Sequence, residues 1–182
     1  MKTFRVNHSY CDFYEIDDHY TLWIWSEYWP KFGGIDYLRS LDGETLLVKE
    51  RTLSGSESYE FVFHDRKESD THVSFMLIPK EKYICKIMAQ LSEETGHISA
   101  MHSIKAKPLY QKIKSFGQDA IPHLFKSIKE EDYSNNIGIW TWFCLISEIL
   151  GDGPSIPEED RGKLGKVREH YLQFGRNKGY LK

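Results

Sequence analysis

The chain has 182 residues, 40% of them hydrophobic, and a formal net charge of -3 at pH 7. This length and composition suit a globular protein with one ordinary domain or two small ones. The sequence does not begin with an apolar segment, and its longest apolar run, residues 137–150, is too short to span a bilayer. We therefore expect no export signal and no membrane partner.

The charges are unevenly distributed along the chain. Residues 1–80 carry 9 Lys and Arg against 14 Asp and Glu, whereas residues 81–182 carry 15 against 13. The first part should therefore attract a basic partner, and nucleic acid is not the first expectation there.

The cysteines indicate the cellular compartment. Cys11, Cys85 and Cys144 are an odd number, are widely spaced and form no CxxC pair. We expect reduced, buried thiols and a cytoplasmic location.

The first part of the chain predicts a sheet. Residues 20–27 alternate as a strand does, although a helix is the competing interpretation, and residues 35–41 suit a short helix or a turn. Three runs rich in β-branched and aromatic residues, 45–53, 59–63 and 72–78, predict an antiparallel meander. The polar stretch between the second and third runs predicts an exposed hairpin loop.

The second part predicts helices at residues 80–94, 107–116, 119–130, 137–150 and 158–174. The helix at 137–150 is apolar almost all round, with only Thr141 and Glu148 as a polar stripe, which is typical of a central buried helix.

The predicted fold is therefore α+β, with an N-terminal antiparallel sheet followed by a C-terminal HEAT-like helical bundle. We place the β-rich acidic aromatic part at residues 1–80 and the helical module at residues 81–182. We expect the two parts to share one core.

The helical part also resembles a family of small uncharacterised bacterial proteins, many of them in prophage-like or mobile neighbourhoods. The segments that carry the resemblance are EETGHIS at 93–99, PLYQKI at 108–113, FGQDAIPHL at 116–124, WTWFCLI at 140–146, ILGDGP at 149–154, EEDRGKLGKV at 158–167 and FGRNKGYL at 174–181. The sequence departs from the pattern at Phe174, where tryptophan is usual, and at Lys107, where histidine is common. The resemblance implies a helical module and a bacterial or phage source, and it implies no catalytic residue.

Carboxylates and aromatic residues are concentrated at residues 12–19. The ordinary interpretation is a solvated acidic loop before a strand. Aromatic anchors beside carboxylates are also typical of interfaces with basic proteins, whereas a metal or acid–base site is the least favoured alternative. The predicted partner-binding residues are Asp12, Tyr14, Glu15, Asp17, Asp18 and Trp25.

No motif indicates catalysis or a bound group. His97 and His102 lie five apart, which is not a metal-ligand spacing, and no GxSxG or GK[ST] motif occurs. We predict no metal, no cofactor and no catalytic residue.

A second candidate surface is basic and lies near the C-terminus. Lys163, Lys166, Arg168 and Arg176 could contact nucleic acid, although such charges usually form a solvated helix face.

Two functional hypotheses follow from these candidates, ahead of an enzymatic function, which ranks third. The first is a non-enzymatic immunity- or antitoxin-type protein that inhibits a basic protein partner. The alternative is a nucleic-acid-binding accessory or regulatory protein that uses the basic C-terminal helix.

Overall fold

A computed structural model describes the protein at residues 9–16, 19–52, 55–98, 100–130 and 136–181. The chain forms two compact units, Met1–Tyr83 and Ile84–Lys182. The first contains an antiparallel sheet and the second is helical, so the predicted α+β class is confirmed. The HEAT-like packing and the shared core stay predictions.

The first unit contains a five-stranded antiparallel sheet with the order β1-β2-β5-β4-β3. Its strands are β1 (Cys11–Ile16), β2 (His19–Trp25), β3 (Thr45–Thr52), β4 (Gly55–Glu68) and β5 (His72–Pro79). The predicted strand at 20–27 is confirmed as far as Trp25, after which residues 26 and 27 belong to a 3₁₀ segment, and the predicted meander is confirmed. Residues 12–16, which we expected in a loop, instead belong to edge strand β1, where successive side chains point to opposite faces of the sheet.

The inner face of the sheet forms the core of this unit. Leu22, Ile24 and Phe75 are fully buried there. The 3₁₀ segment Ser26–Phe32 and helix α1 (Ile35–Arg39) follow β2 and contribute further residues to the same core. The residues that alternate with these core residues along each strand lie on the opposite, outer face of the sheet.

The hairpin loop predicted at residues 64–70 is shorter than expected, because strand β4 continues to Glu68 and only residues 69–71 connect it to β5. Its polar residues had suggested a loop, but their backbone pairs with β5 across a bulge between His64 and Arg66. Their side chains also bind α1, since Arg39 donates to Glu68 at 2.6 Å and Arg66 donates to the Arg39 carbonyl at 2.9 Å. These contacts with a distant helix cannot be recognised from local composition.

The helical segments follow in chain order. They are α2 (Lys80–Thr95), α3 (Met101–Lys105), α4 (Pro108–Ser115), the 3₁₀ turn Gly117–Ala120, α5 (Ile121–Glu130), α6 (Asn136–Leu150), the 3₁₀ turn Glu158–Asp160 and α7 (Leu164–Asn177). The five predicted helices are present, and α3 is an addition that was too short for a periodic signal.

The last helix begins later than predicted. Glu158–Asp160 forms a separate 3₁₀ turn, and Gly162 then takes a left-handed φ of +79°. That conformation interrupts a right-handed helix, so α7 starts only at Leu164.

Helix α6 is buried as predicted, since Trp142 is 3% exposed and Phe143 is 2% exposed. The predicted polar stripe is wrong at Thr141, which is 1% exposed. Threonine is small and half apolar, so a helix surrounded on nearly all sides can bury it.

Helices α5 and α7 approach closely at one glycine. A Cβ added to Gly175 would lie 2.9 Å from two ring carbons of Phe125. Among the described segments, no helix has the length and apolar character needed to cross a membrane.

Candidate functional site

An aromatic cluster lies on the outer face of the sheet, opposite the core. It consists of Tyr14 on β1, Trp23 and Trp25 on β2, and His72 on β5, and we call it the aromatic face. The ring centroids of Trp23 and His72 are 4.7 Å apart with their planes 6° from parallel. Trp25 lies 6.0 Å from Trp23 and 5.4 Å from His72, and Tyr14 meets Trp23 edge-on at 6.3 Å.

Strand register explains this arrangement. Trp23 pairs with Ser74 and Trp25 pairs with His72 across the β2–β5 ladder, so the tryptophans and the histidine share one face. On the other side of β2, Trp23 pairs with Asp12, which places Asp12 and Tyr14 on that same face.

Polar contacts hold two of the rings in place. Trp25 Nε1 donates to Asp12 Oδ2 at 2.9 Å. His72 Nδ1 lies 3.0 Å from Ser69 Oγ and 3.1 Å from Thr71 Oγ1. The aromatic face is therefore ordered before any partner arrives, which lowers the entropic cost of binding.

The aromatic face is accessible to a partner. Tyr14 is 50% exposed, and Trp23, Trp25 and His72 are partly exposed. Rings of this kind bind cations over their faces, and in the same unit Lys31 Nζ lies 3.9 Å from the centroid of the Tyr10 ring. An exposed tyrosine and two tryptophans beside a carboxylate can thus bind an apolar and cationic surface.

The structure divides the predicted partner-binding set. Tyr14 and Trp25 belong to the aromatic face, and Asp12 borders it on the same side of the sheet. Glu15 lies on the opposite face of β1, where it accepts a hydrogen bond from the Tyr20 hydroxyl at 3.2 Å. Asp17 and Asp18 lie outside the described residues.

Sequence analysis omitted Trp23 and His72 from this set. The alternation of YTLWIW already placed Trp23 with Trp25 on one face, so the signal for Trp23 was present. His72 reaches the cluster through a strand pairing distant in sequence, and no local pattern indicates it.

The predicted basic surface is largely occupied by contacts within the chain. Arg168 donates to the carbonyls of Ile128 and Lys129 at 2.7 and 2.8 Å, at the end of α5. Lys166 pairs with Glu169 at 3.2 Å. The contacts of Arg168 explain its charge as structural, whereas the Lys166–Glu169 pair is exposed at the surface and only offsets the charge of Lys166.

The other two basic residues are exposed but are not part of a uniformly basic face. Lys163 directly precedes α7, and Arg176 lies in its last turn. Arg176 lines a shallow groove together with Asp160, Glu169 and His170, and His170 Nε2 lies 2.9 Å from Asp160 Oδ2. The acidic groups reduce the positive potential that a phosphate backbone would need.

A second polar cluster is centred on Glu148 of α6. Its two carboxylate oxygens accept from Lys105 at 2.7 Å and from Lys114 at 2.8 Å. Burial raises the pKa of Glu148, but the hydrogen bonds and charges of the two lysines lower it by more, so the net shift is downward. This cluster links α6 to α3 and α4 and requires no ligand to account for it.

Among the residues described by the structure, no three His, Cys, Asp or Glu side chains lie close enough to hold a metal ion together. Comparisons with protein-family models, with curated proteins and with solved structures found no match. The functional proposal therefore depends on the residues of this chain.

Proposed function

We propose that this protein is a non-enzymatic binding protein whose aromatic face binds a basic segment of a protein partner. The observation that carries the proposal is the preordered cluster of Trp23, Trp25 and His72 with Tyr14 exposed beside it. Tryptophan and tyrosine are the residues that most often dominate binding energy in protein interfaces.

Charge favours a cationic partner over a nucleic acid. Residues 1–80 carry five more acidic than basic residues, and the carboxylate of Asp12 borders the aromatic face. Unpaired bases also stack on aromatic rings, but their phosphates would be repelled by this surplus of negative charge.

Within this class, we propose an immunity- or antitoxin-type inhibitor. Such a protein has to cover a basic enzyme and needs no catalytic groups of its own. An acidic, aromatic surface supplies both fast electrostatic association and slow dissociation, which are the properties an inhibitor requires.

The experiment is capture from the source cell with immobilised protein, using Tyr14→Ala and a matched control. Tyr59 is also exposed, at 42% against 50% for Tyr14, and strand alternation places it on the opposite face of the sheet. We expect a basic protein to bind the wild type and Tyr59→Ala and to be lost, or to dissociate faster, with Tyr14→Ala.

Two outcomes would contradict the proposal. One is capture of DNA or RNA in place of a protein, which would favour the nucleic-acid alternative. The other is unchanged binding of the captured protein by Tyr14→Ala together with Trp23→Ala.

A further inference from the structure

The helical unit contains one pair of side chains with nucleophilic chemistry that the proposed function does not use. The prediction of buried thiols is wrong at Cys85 on α2, which is exposed on the outer side of an amphipathic helix. Its Sγ lies 3.4 Å from Nδ1 of His123 on α5. The other two thiols are less accessible: Cys11 is 3% exposed, and Cys144 is partly buried, with its pKa raised chiefly by that burial. Cys85 is therefore the thiol that a reagent in solution can reach.

We propose that Cys85 and His123 form a thiol–disulfide exchange site that takes small disulfides. An imidazole at hydrogen-bonding distance can accept the thiol proton and so supply the thiolate, which is the nucleophile. The thiolate attacks one sulfur of the disulfide, a new S–S bond forms at Cys85, and the original S–S bond breaks. The second half of the disulfide leaves as a thiolate and can take the proton from His123, so no further oxidant is needed.

A cleft beside the pair fits one half of such a disulfide. Its volume is about 330 Å³, and its lining includes Met88, Ser92, Ser127, Glu130 and Trp142 as well as Cys85 itself. Met88 and Trp142 provide an apolar contact, and the two serines can form hydrogen bonds. Because Glu130 is the charged residue of this lining, the preferred class is a neutral or cationic disulfide.

Other charges near the pair do not replace His123 as the proton acceptor. Glu81, Lys82 and Lys86 lie within one turn of Cys85 on α2, and Lys126 lies within one turn of His123 on α5. Together with Glu130 and with Asp119, which lies four residues before His123, they amount to three cations and three anions, so no excess of one sign acts on the thiol. Helix α6 contributes the uncharged Trp142 to the cleft.

The test uses the full chain and the neutral reagent 4,4′-dithiodipyridine, whose released thione is followed by absorbance. Mass spectrometry should place the fast label on Cys85, and Cys85→Ser should remove the fast phase. With His123→Asn, the rate at pH 7 should fall about tenfold and the pH profile should move to higher pH. The matched control His102→Asn changes an exposed histidine of the same unit and should leave the rate unchanged.

A second measurement covers the case in which His123→Asn does not fold. The wild-type chain is labelled at pH 6 with and without urea, and the label on Cys85 is quantified by mass spectrometry. Folding should accelerate labelling of Cys85 about tenfold, since only the folded chain places His123 beside the thiol. Equal rates, or fast labelling of Cys11 or Cys144 instead, would overturn the proposal.

A third experiment tests the proposed preference for neutral or cationic disulfides by comparing two disulfides of opposite charge. Cystamine, which is cationic, should react faster than glutathione disulfide, which is anionic, and Glu130→Gln should reduce that ratio. A faster reaction with glutathione disulfide would contradict the proposed preference for neutral or cationic disulfides. These results do not depend on the aromatic face, so they can fail or succeed separately from the proposed function.

Discussion

Trp23 and His72 stack face to face across the β2–β5 ladder, with ring centroids 4.7 Å apart and planes 6° from parallel. The stack fixes the orientation of a partly exposed tryptophan that would otherwise sample several rotamers. Because a rigid aromatic side chain loses little conformational entropy on binding, this pair makes the outer face of the sheet suitable for recognition.

The hydrogen bond between Trp25 and Asp12 can be separated from the charge of Asp12. Asp12→Asn keeps an oxygen that can accept from Trp25 Nε1, whereas Asp12→Ala removes the acceptor. We expect Asp12→Ala to lower the free energy of unfolding by about 1 kcal/mol and Asp12→Asn to change it less. Urea unfolding and near-UV circular dichroism measure both effects, and an Asn variant as damaging as the Ala variant would contradict a role for this hydrogen bond.

Glu148 should make stability depend on pH in the acidic range. Its pKa in the folded protein lies below the ordinary value of 4.5, so its ionised form stabilises the fold at neutral pH. This contribution should be lost as the pH falls from 4.5 through the lowered pKa. Glu148→Gln should therefore cost about 1 kcal/mol at pH 7, since the pairs are partly exposed, and little once the carboxylate is protonated.

The control for that prediction is Glu169→Gln. Glu169 pairs with Lys166 at 3.2 Å on the surface, where its side chain is 69% exposed, so we expect no measurable change. Chemical denaturation of both variants at pH 7 and at acidic pH supplies the comparison. A cost for Glu148→Gln that does not change with pH would rule out ionisation as its cause.

The contact between Gly175 and Phe125 predicts a steric effect. The Cβ of Gly175→Ala would meet the Phe125 ring at 2.9 Å, and that ring is fully buried and stacked on Tyr180 at 5.8 Å. We expect a loss of about 1 to 3 kcal/mol in the free energy of unfolding, as for other overpacked cores. Gln173→Ala, at an exposed position of the same helix, should be nearly neutral, and Gly175→Ala should regain stability when combined with Phe125→Leu.

The sequence predicted local structure better than the site. The buried helix around Trp142 and Phe143 and the β-rich meander follow from periodicity, which depends only on neighbouring residues. Strand β1 was missed because segment 12–19 contains five polar or acidic residues and resembles a loop, and because CDFYEI does not alternate regularly between polar and apolar residues.

The aromatic face was only half predictable. Tyr14, Trp25 and Asp12 were recognised as candidates from composition, but their side of the sheet depends on register. Joining Trp23 to His72 requires the pairing of strands that are separated by about fifty residues, which local reasoning cannot supply. The pair Cys85 and His123 was missed for the same reason, since two helices distant in sequence bring them together.

The most direct test of the binding surface observes the tryptophan indole N–H groups while a short peptide of alternating arginine and leucine is added. The chain has five tryptophans, so nitrogen-15 labelling of the indoles gives few signals, which Trp→Phe variants assign. Trp29 is an internal control in the same unit, since its Nε1 donates to the Ile24 carbonyl at 3.1 Å. Trp140 and Trp142 are controls in the helical unit.

We predict that the signals of Trp23 and Trp25 shift in a saturable manner with the basic peptide, that the three control signals stay in place, and that added salt weakens the binding. The Tyr14→Ala variant should bind more weakly than Tyr59→Ala. If a single-stranded oligonucleotide shifts Trp23 and Trp25 while the basic peptide shifts neither, the aromatic face does not bind a basic protein segment.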